Sequence, residues 1–496
     1  MIRCAPALLV VGFLCGCSLA PVYERPAAPV PPSWPVGDAY LRSSEAALPS
    51  ISYRDIFRDP RLQALIEQSL VNNRDLRIAA GNIAAARGQY RVQRSEQLPT
   101  LGANAGVGIA DRGTGSTAAN GLPSGVSTGG TTQSYDVGAG VSAFEVDLFG
   151  RVRSLSRAAL EEYFATEAAA RATRLALVGD IAGAWLTYAS DRSLLRIAED
   201  TARSATASVR LTRLRLEGGV SPRTDLRQAE LILAQANSDL AAQRTALAQD
   251  VNLLQLLVGA PINPALLPDT IETAVTTLSE LPAGLDSGVL LRRPDVVQAE
   301  YVLRAANARI GAARAAYFPS ISLTGLLGFA SNTLGSLFTG GAFNWSASAD
   351  VGYAIFDGGA ARGGVLQTRA QRDIAVAQYE RAIQTAFREV SDALARRGTI
   401  AGQEAAQLAL VAAAQDNYRL SEARYRGGID TFLQTLDSQR SLYAAQRSLI
   451  GTRFERAQNL VALYRTLGGD AQLDATPAGP RALAPEPTAT PVPRER

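Results

Sequence analysis

The sequence predicts a mixed α and β membrane protein built from two copies of one unit. Three observations carry that prediction. Four segments alternate apolar residues with small or polar ones at period two, the pattern of half-buried strands. Two stretches of 67 residues, Arg151 to Glu217 and Ala360 to Arg426, contain no proline. The first half of the chain also recurs in the second. Leu98-Pro99-Thr100-Leu101 returns as Phe318-Pro319-Ser320-Ile321, and Leu148-Phe149-Gly150-Arg151 is echoed by Ile355-Phe356-Asp357-Gly358. Glu217-Gly218-Gly219-Val220 returns as Arg426-Gly427-Gly428-Ile429, and Leu257-Val258-Gly259 as Thr466-Leu467-Gly468.

Composition narrows the chemistry. The chain has 496 residues, with 49 Lys+Arg (all of them Arg), 46 Asp+Glu, no His and a net charge of +3. Near-balanced charge gives no bulk electrostatic reason for a nucleic-acid partner. Without imidazole or ammonium groups there is no material for a His triad, a His metal cluster, a Schiff base or a phosphate-loop lysine. No cofactor, metal or enzymatic activity is expected. Gly125-Val126-Ser127-Thr128-Gly129 fits the nucleophile-elbow pattern, but it lies in a Gly/Ser/Thr loop rather than between strand and helix. Hydrophobic residues make up 47% of the chain and aromatic ones only 6%, which favours closely packed Ala-rich helices.

At the N-terminus, Arg3 precedes an apolar run from Ala5 to Leu14, too short to span a bilayer and suited to a signal peptide over residues 1–16. All three cysteines lie here: Cys4, Cys15 and Cys17. Leu14-Cys15-Gly16-Cys17 resembles the bacterial lipobox, with Cys15 departing from the usual Ala or Ser. The resemblance implies cleavage before Cys17 and a diacylglycerol on its thiol. One remaining cysteine excludes a disulfide framework. The Pro-rich stretch from Pro21 to Pro35 reads as part of an extended, lipidated tether over residues 17–58. No later segment has 18 consecutive apolar residues, so a membrane crossing has to use strands.

The first repeat, residues 59–269, opens with a helix from about Arg61 to Gln97, stopped by Pro99. Leu101, Ala103, Ala105, Val107 and Ile109 then alternate with small neighbours. After the loop 111–134 a second strand runs from Tyr135 to Leu148 and changes phase near Phe144. The second repeat, residues 270–469, has its helix from about Arg293 to Tyr317. Its strands run through Ile321, Leu323, Leu327 and Phe329, and through Trp345, Ala347, Ala349, Val351 and Ile355. The strand pairs fall within 99–148 and 319–357. Strands of ten residues or more span about 33 Å, enough to cross an apolar bilayer layer when tilted.

Each strand pair is followed by a helical hairpin, 151–258 and 360–467. A helix of 67 residues reaches about 100 Å, far beyond the three turns of an average globular helix. Leu175, Val178, Ile181, Trp185 and Tyr188 recur at helical steps. Gly-Gly turns reverse the chain. Residues 470–496 are Pro- and Ala-rich and are expected to be disordered.

Four membrane strands cannot close a barrel, and open edges in lipid are costly, so several identical chains have to associate. Two chains would give eight strands and three would give twelve. Small residues on one strand face favour the wider barrel.

From Cys17 to about Gly469 the chain resembles the TolC/OprM-like outer-membrane factor family, including its lipoprotein branch. The features that carry the resemblance are the repeat, the Pro-started strands, Phe356-Asp357-Gly358-Gly359 and the Gly-Gly turns. It implies a homotrimer in the outer membrane: a twelve-stranded β-barrel, four strands per chain, continuous with a long periplasmic α-helical barrel. It implies a passive exit duct for small molecules, fed by a periplasmic adaptor protein and an inner-membrane efflux pump. Two other functions fit the same architecture, an exit for secreted proteins or peptides and a purely structural periplasm-spanning lipoprotein. The resemblance further implies a constriction near the helical turns. Alignment on the turns places Asp225, Tyr425 and Asp437 on family acidic and aromatic positions. Gln434 and Asp430 depart from the family's second acidic ring and its linking Arg, and Arg223 and Arg426 are the expected replacements for that link. The turns, with Gly218, Gly219 and Val220 in one and Gly427, Gly428 and Ile429 in the other, resemble the family's adaptor-docking tips.

Overall fold

The computed structural model describes residues 18–35, 52–112, 130–278, 287–472, 475–476 and 479–480. The expected signal peptide, Cys17 and the Ser127 motif lie outside the described residues. The chain divides into two compact units. One gathers residues 1–24, 85–163 and 301–376, and the other residues 25–84, 164–300 and 377–496.

The first unit holds a four-stranded antiparallel sheet in sequence order: β1 (Leu101–Arg112), β2 (Gly130–Glu145), β3 (Ser320–Ser331) and β4 (Phe343–Gly352). The register sets Val107 opposite Tyr135, Val137 opposite Phe329 and Leu327 opposite Trp345. One face therefore carries Leu101, Val107, Ile109, Leu323, Leu327, Trp345 and Val351, all largely exposed. The other carries Asn104, Ser134, Asp136, Thr324, Ser346, Ser348 and Asp350 among glycines. The expected phase change is a β-bulge between Val141 and Phe144. Ala143 there adopts φ 52°, and its N–H donates to Thr324 Oγ1 (3.1 Å). Within this sheet β1 and β4 are edge strands with one neighbour each.

The echo between Phe149-Gly150 and Phe356–Gly359 marks the passage from strand to long helix. In the second repeat the Asp357 carboxylate accepts from the N–H groups of Gly359 and Ala361 (2.8 Å each) and caps the helix that follows. In the first, Asp147 does the same for the Arg153 N–H (2.8 Å).

The expected first helix is two: α1 (Pro60–Asn72) and α2 (Arg74–Ser95). Asn73 between them is extended (ψ 139°). Its side-chain oxygen accepts from the N–H groups of Asp75 and Leu76, and its Nδ2 donates to the Leu257 carbonyl (2.8 Å). The remaining long elements are α3 (Arg151–Glu217), α4 (Arg223–Val258), α5 (Pro294–Ala315), α6 (Ala360–Arg426) and α7 (Phe432–Thr466). Val178, Ile181 and Trp185 of α3 are wholly buried, and Trp185 Nε1 donates to the Leu266 carbonyl (3.1 Å). No described helix is long and apolar enough to cross a membrane.

Two features differ from the expected tether and tail. Residues 18–35 are docked rather than free: in the second unit the Arg25 guanidinium grips the buried Glu300 carboxylate, and Trp34 stacks on Phe387 (4.9 Å between ring centroids). Beyond α7, left-handed Gly468 and Gly469 turn the chain back. Asp470 accepts from the buried Tyr464 hydroxyl (2.7 Å), and Ala475–Thr476 pairs with Gly479–Pro480.

Where α3 meets α4, the half-buried carboxyls of Asp191 and Asp250 are neighbours, and Asp250 Oδ2 is buried without a hydrogen-bond partner. Burial, and then the neighbouring Asp191 charge, push Asp250 up to about pH 6. A carboxyl whose folded pKa exceeds its unfolded value holds its proton in the native state longer, so it withdraws stability as pH rises from about 4 through 6. Asp250→Asn is expected to remove that slope. Thermal unfolding followed by helical circular dichroism at pH 5 and pH 7 should show a smaller difference in the variant than in the parent. An equal drop in both would show that the pair is not strained.

Candidate functional site: the helical turns and their carboxylates

Both helix reversals close with the same backbone pattern. Val220 N–H bonds to the Arg215 carbonyl and Gly219 N–H to Leu216; Ile429 bonds to Arg424 and Gly428 to Tyr425. This paired bonding is a Schellman closure, and it needs one left-handed residue. Gly219 and Gly428 supply it, each at φ 72°. Gly218 and Gly427 have ordinary negative φ, so the requirement falls on the second glycine of each pair. Val220 and Ile429 follow, and both are about two-thirds exposed (68% and 67%). Apolar side chains so placed at a helix reversal are free to meet another surface.

Behind the turns, all four helix ends share one core. Val209, Leu226, Ala229, Tyr425, Phe432 and Leu436 are buried together, with Leu216 and Ile232 packed against them. Tyr425 is thus not presented on an open face as a ring position would be. It is 3% exposed, tilted against Phe432 at 5.3 Å, with the Arg215 guanidinium 4.7 Å from its ring centroid. Arg215 also donates to the Tyr425 carbonyl (2.9 Å). Burial of a large aromatic accounts for this placement.

The carboxylates divide by environment. Asp225 lies in the first turn of α4, half-buried, and accepts from Ser221 Oγ (2.8 Å). Asp430 is gripped by Arg424 through Nε (2.5 Å) and Nη2 (3.0 Å). The hydrogen bonds from Arg424 hold its carboxyl below the usual aspartate range. Arg426 pairs with Glu422 one turn back (2.6 Å), and Arg223 is exposed at the start of α4. Gln434 and Asp437 lie three residues apart on the exposed side of α7. The structure therefore brings Asp225, Asp430, Gln434 and Asp437 to one end of the hairpins and sets Tyr425 inside it.

Arg424 and Arg215 are not among the residues expected at this site. A signal for both was present. The 209-residue offset that aligns Glu217 with Arg426 also aligns Arg215 with Arg424 and Asp225 with Gln434. Among the described residues no group of three metal-ligating side chains occurs.

Known proteins resemble this chain over nearly its whole length. A family model described as outer membrane efflux protein matches residues 65–260 and 286–469, in two blocks that follow the two repeats. The probable efflux pump outer membrane protein TtgC of Pseudomonas putida is 46% identical over 469 residues, 93% of this chain and 95% of that protein. Among solved structures, a membrane protein from Pseudomonas aeruginosa superposes with a TM-score of 0.81 at 38% identity, over 91% of this chain and 98% of the other. The open-state MtrE outer membrane channel of Neisseria gonorrhoeae superposes at 0.80 with 34% identity, over 92% and 99%. With both repeats matched and nearly the full length shared, the chain belongs to the outer membrane efflux protein family.

Proposed function

We propose that three copies of this chain close a twelve-stranded barrel in the outer membrane and form the passive exit channel of a tripartite efflux system for small molecules. One observation carries the proposal. A four-stranded sheet with an apolar face exposed on one side and a polar, Gly-rich face on the other has two edges that only other chains can complete. In closed form the apolar face meets lipid and the polar face lines water. Twelve strands leave a lumen where eight would be filled by side chains. The relatives named as efflux pump components support small molecules as the cargo. No step of such a function calls for catalysis, since the energy is supplied by an inner-membrane pump.

In this proposal the tips bearing Val220 and Ile429 meet a periplasmic adaptor, and a lipid on Cys17 anchors the mature chain. Asp437 and Gln434, exposed on α7, face the aperture, together with Asp225 and the Arg424–Asp430 clamp. Three symmetric carboxylates repel one another and attract cations. Purified protein in planar bilayers is expected to conduct, and absence of conductance under every condition would favour a purely structural rod. Asp437→Ala is expected to raise single-channel conductance or relieve block by divalent cations. Arg424→Ala should act in the same direction by freeing the Asp430 turn. If both variants behave as the parent does, the aperture lies elsewhere.

A further inference from the structure

The connection from β3 to β4, residues 332–342, is a folded loop with a surplus of apolar surface. Chain order runs α5, β3, β4, α6, so this loop stands at the end of the strands away from those helices. Leu337 and Ala342 are buried, while Leu334 and Phe338 are 65% and 70% exposed. From Ala315 through Ala349 the sequence has no charged residue.

The loop's hydroxyls are bonded within it. Ser336 Oγ meets the hydroxyls of Ser331 (2.5 Å) and Thr333 (2.6 Å), and Thr339 Oγ1 donates to the Ser336 carbonyl (2.8 Å). The Thr333 N–H donates to Ser331 Oγ (3.2 Å). The N–H groups of Leu337, Thr339 and Ala342 donate to the carbonyls of Leu334, Ser336 and Thr339. Polar groups satisfied in this way lose little on leaving water.

Aromatic contacts give the loop its direction. The Phe338 ring lies edge-on to Phe329 (5.5 Å between centroids), and Phe329 meets Phe343 in the same manner (5.6 Å). Phe329 and Phe343 are a cross-strand pair in step with Leu327 and Trp345, so they belong to the apolar face. The loop therefore leans over the apolar side of the sheet and not across the polar side.

An aromatic belt at the strand ends is general to membrane barrels. Here the apolar surface continues past the last strand residue into the loop. A seat among anionic headgroups would call for Arg or Lys, and the loop has neither. We infer that the β3–β4 loop is a lipid-inserted wedge, with Leu334 and Phe338 seated among acyl chains around the outer end of the barrel. The wedge holds each chain's hairpin at a fixed depth. The inference rests on the barrel proposed above, which its test examines separately.

Gly335 is the place for a probe. A Cβ there meets nothing within 4 Å, and in a 3₁₀ turn it shares the side of Phe338, three residues on. A nitroxide on Gly335→Cys, in protein reconstituted in phosphatidylethanolamine/phosphatidylglycerol vesicles, is compared with the same label on Ala347→Cys of the apolar face and Ser348→Cys of the polar face. Parent chain treated identically supplies the background from its own cysteines. Power saturation measures collisions with oxygen, which concentrates in lipid, and with a water-soluble nickel chelate. The Gly335 label should follow the Ala347 label and favour oxygen. Leu334→Asp with Phe338→Asp should raise its nickel accessibility severalfold and leave the Ala347 label unchanged. A Gly335 label that favours nickel beside an Ala347 label that favours oxygen would overturn the wedge and keep the barrel. A Gly335 label sheltered from both reagents would place the loop against a neighbouring chain and overturn the wedge as well. So would a Gly335 label that ignores the double aspartate variant. An Ala347 label that favours nickel would remove the barrel itself, and the wedge with it.

Discussion

Ala347→Arg is expected to keep the protein out of the membrane, and Ser348→Arg, one residue further along β4, is expected to let it in. The two positions differ only in the face they occupy. Ala347 pairs with Gly325 and lies between Trp345 and Ala349 on the apolar face, whereas Ser348 pairs with Thr324 and lies between Ser346 and Asp350 on the polar one. Both fall near the middle of a ten-residue strand. An arginine on the lipid face near the bilayer midplane costs about 2–4 kcal/mol, and a trimer carries it three times. The same residue on the lumen face keeps its water. The measurement is the fraction of protein recovered as a heat-modifiable oligomer in the outer-membrane fraction. The parent and Ser348→Arg should be recovered alike, and Ala347→Arg should be largely lost. Conductance of Ser348→Arg then reports on the lumen, where a new positive charge should lower preference for cations. Equal recovery of both variants would mean that this sheet does not face lipid, and the barrel would have to be abandoned.

The strands and long helices were legible because their signals are local and periodic. Even the bulge appeared as a phase change at Phe144, since one extra residue inverts the faces of everything after it. The break at Asn73 was not legible. It depends on a hydrogen bond to Leu257, 184 residues away, and the surrounding sequence supports an unbroken helix. The pairing of the charged groups at the turns was not legible. Arg424 and Arg426 are two residues apart on one helix, so their side chains leave from nearly opposite sides. The path of the returning chain brings Asp430 to the first, while Glu422, one turn back on the same helix, takes the second. Tyr425 reads as a site aromatic until the packing of Phe432 and Leu226 shows it enclosed. The docking of the N-terminal segment was not legible: Leu19 and Pro21 are held by their carbonyls, and Arg25 and Trp34 meet Glu300 and Phe387, partners hundreds of residues away.

Arg25→Ala is expected to be among the most damaging single changes in the chain, although it lies in a stretch whose composition suggests a loose leader. The Glu300 side chain is 1% exposed and that of Arg25 11% exposed. Two hydrogen bonds join them, Nε to Oε1 at 2.9 Å and Nη2 to Oε2 at 2.6 Å. A bidentate guanidinium is the partner best suited to a carboxylate removed from water. Tyr379 is wholly buried, and its hydroxyl is pushed up to about 12 by burial first and by the Glu300 charge second. Truncating Arg25 leaves a buried carboxylate without this cation, which costs about 3–5 kcal/mol, a large part of the roughly 5–15 kcal/mol that stabilises a domain. Replacing both partners, Arg25→Met with Glu300→Leu, removes the charge along with its cation and should recover most of the stability. Thermal unfolding of the three proteins distinguishes the outcomes. If Arg25→Ala melts with the parent, the pair contributes little to the fold.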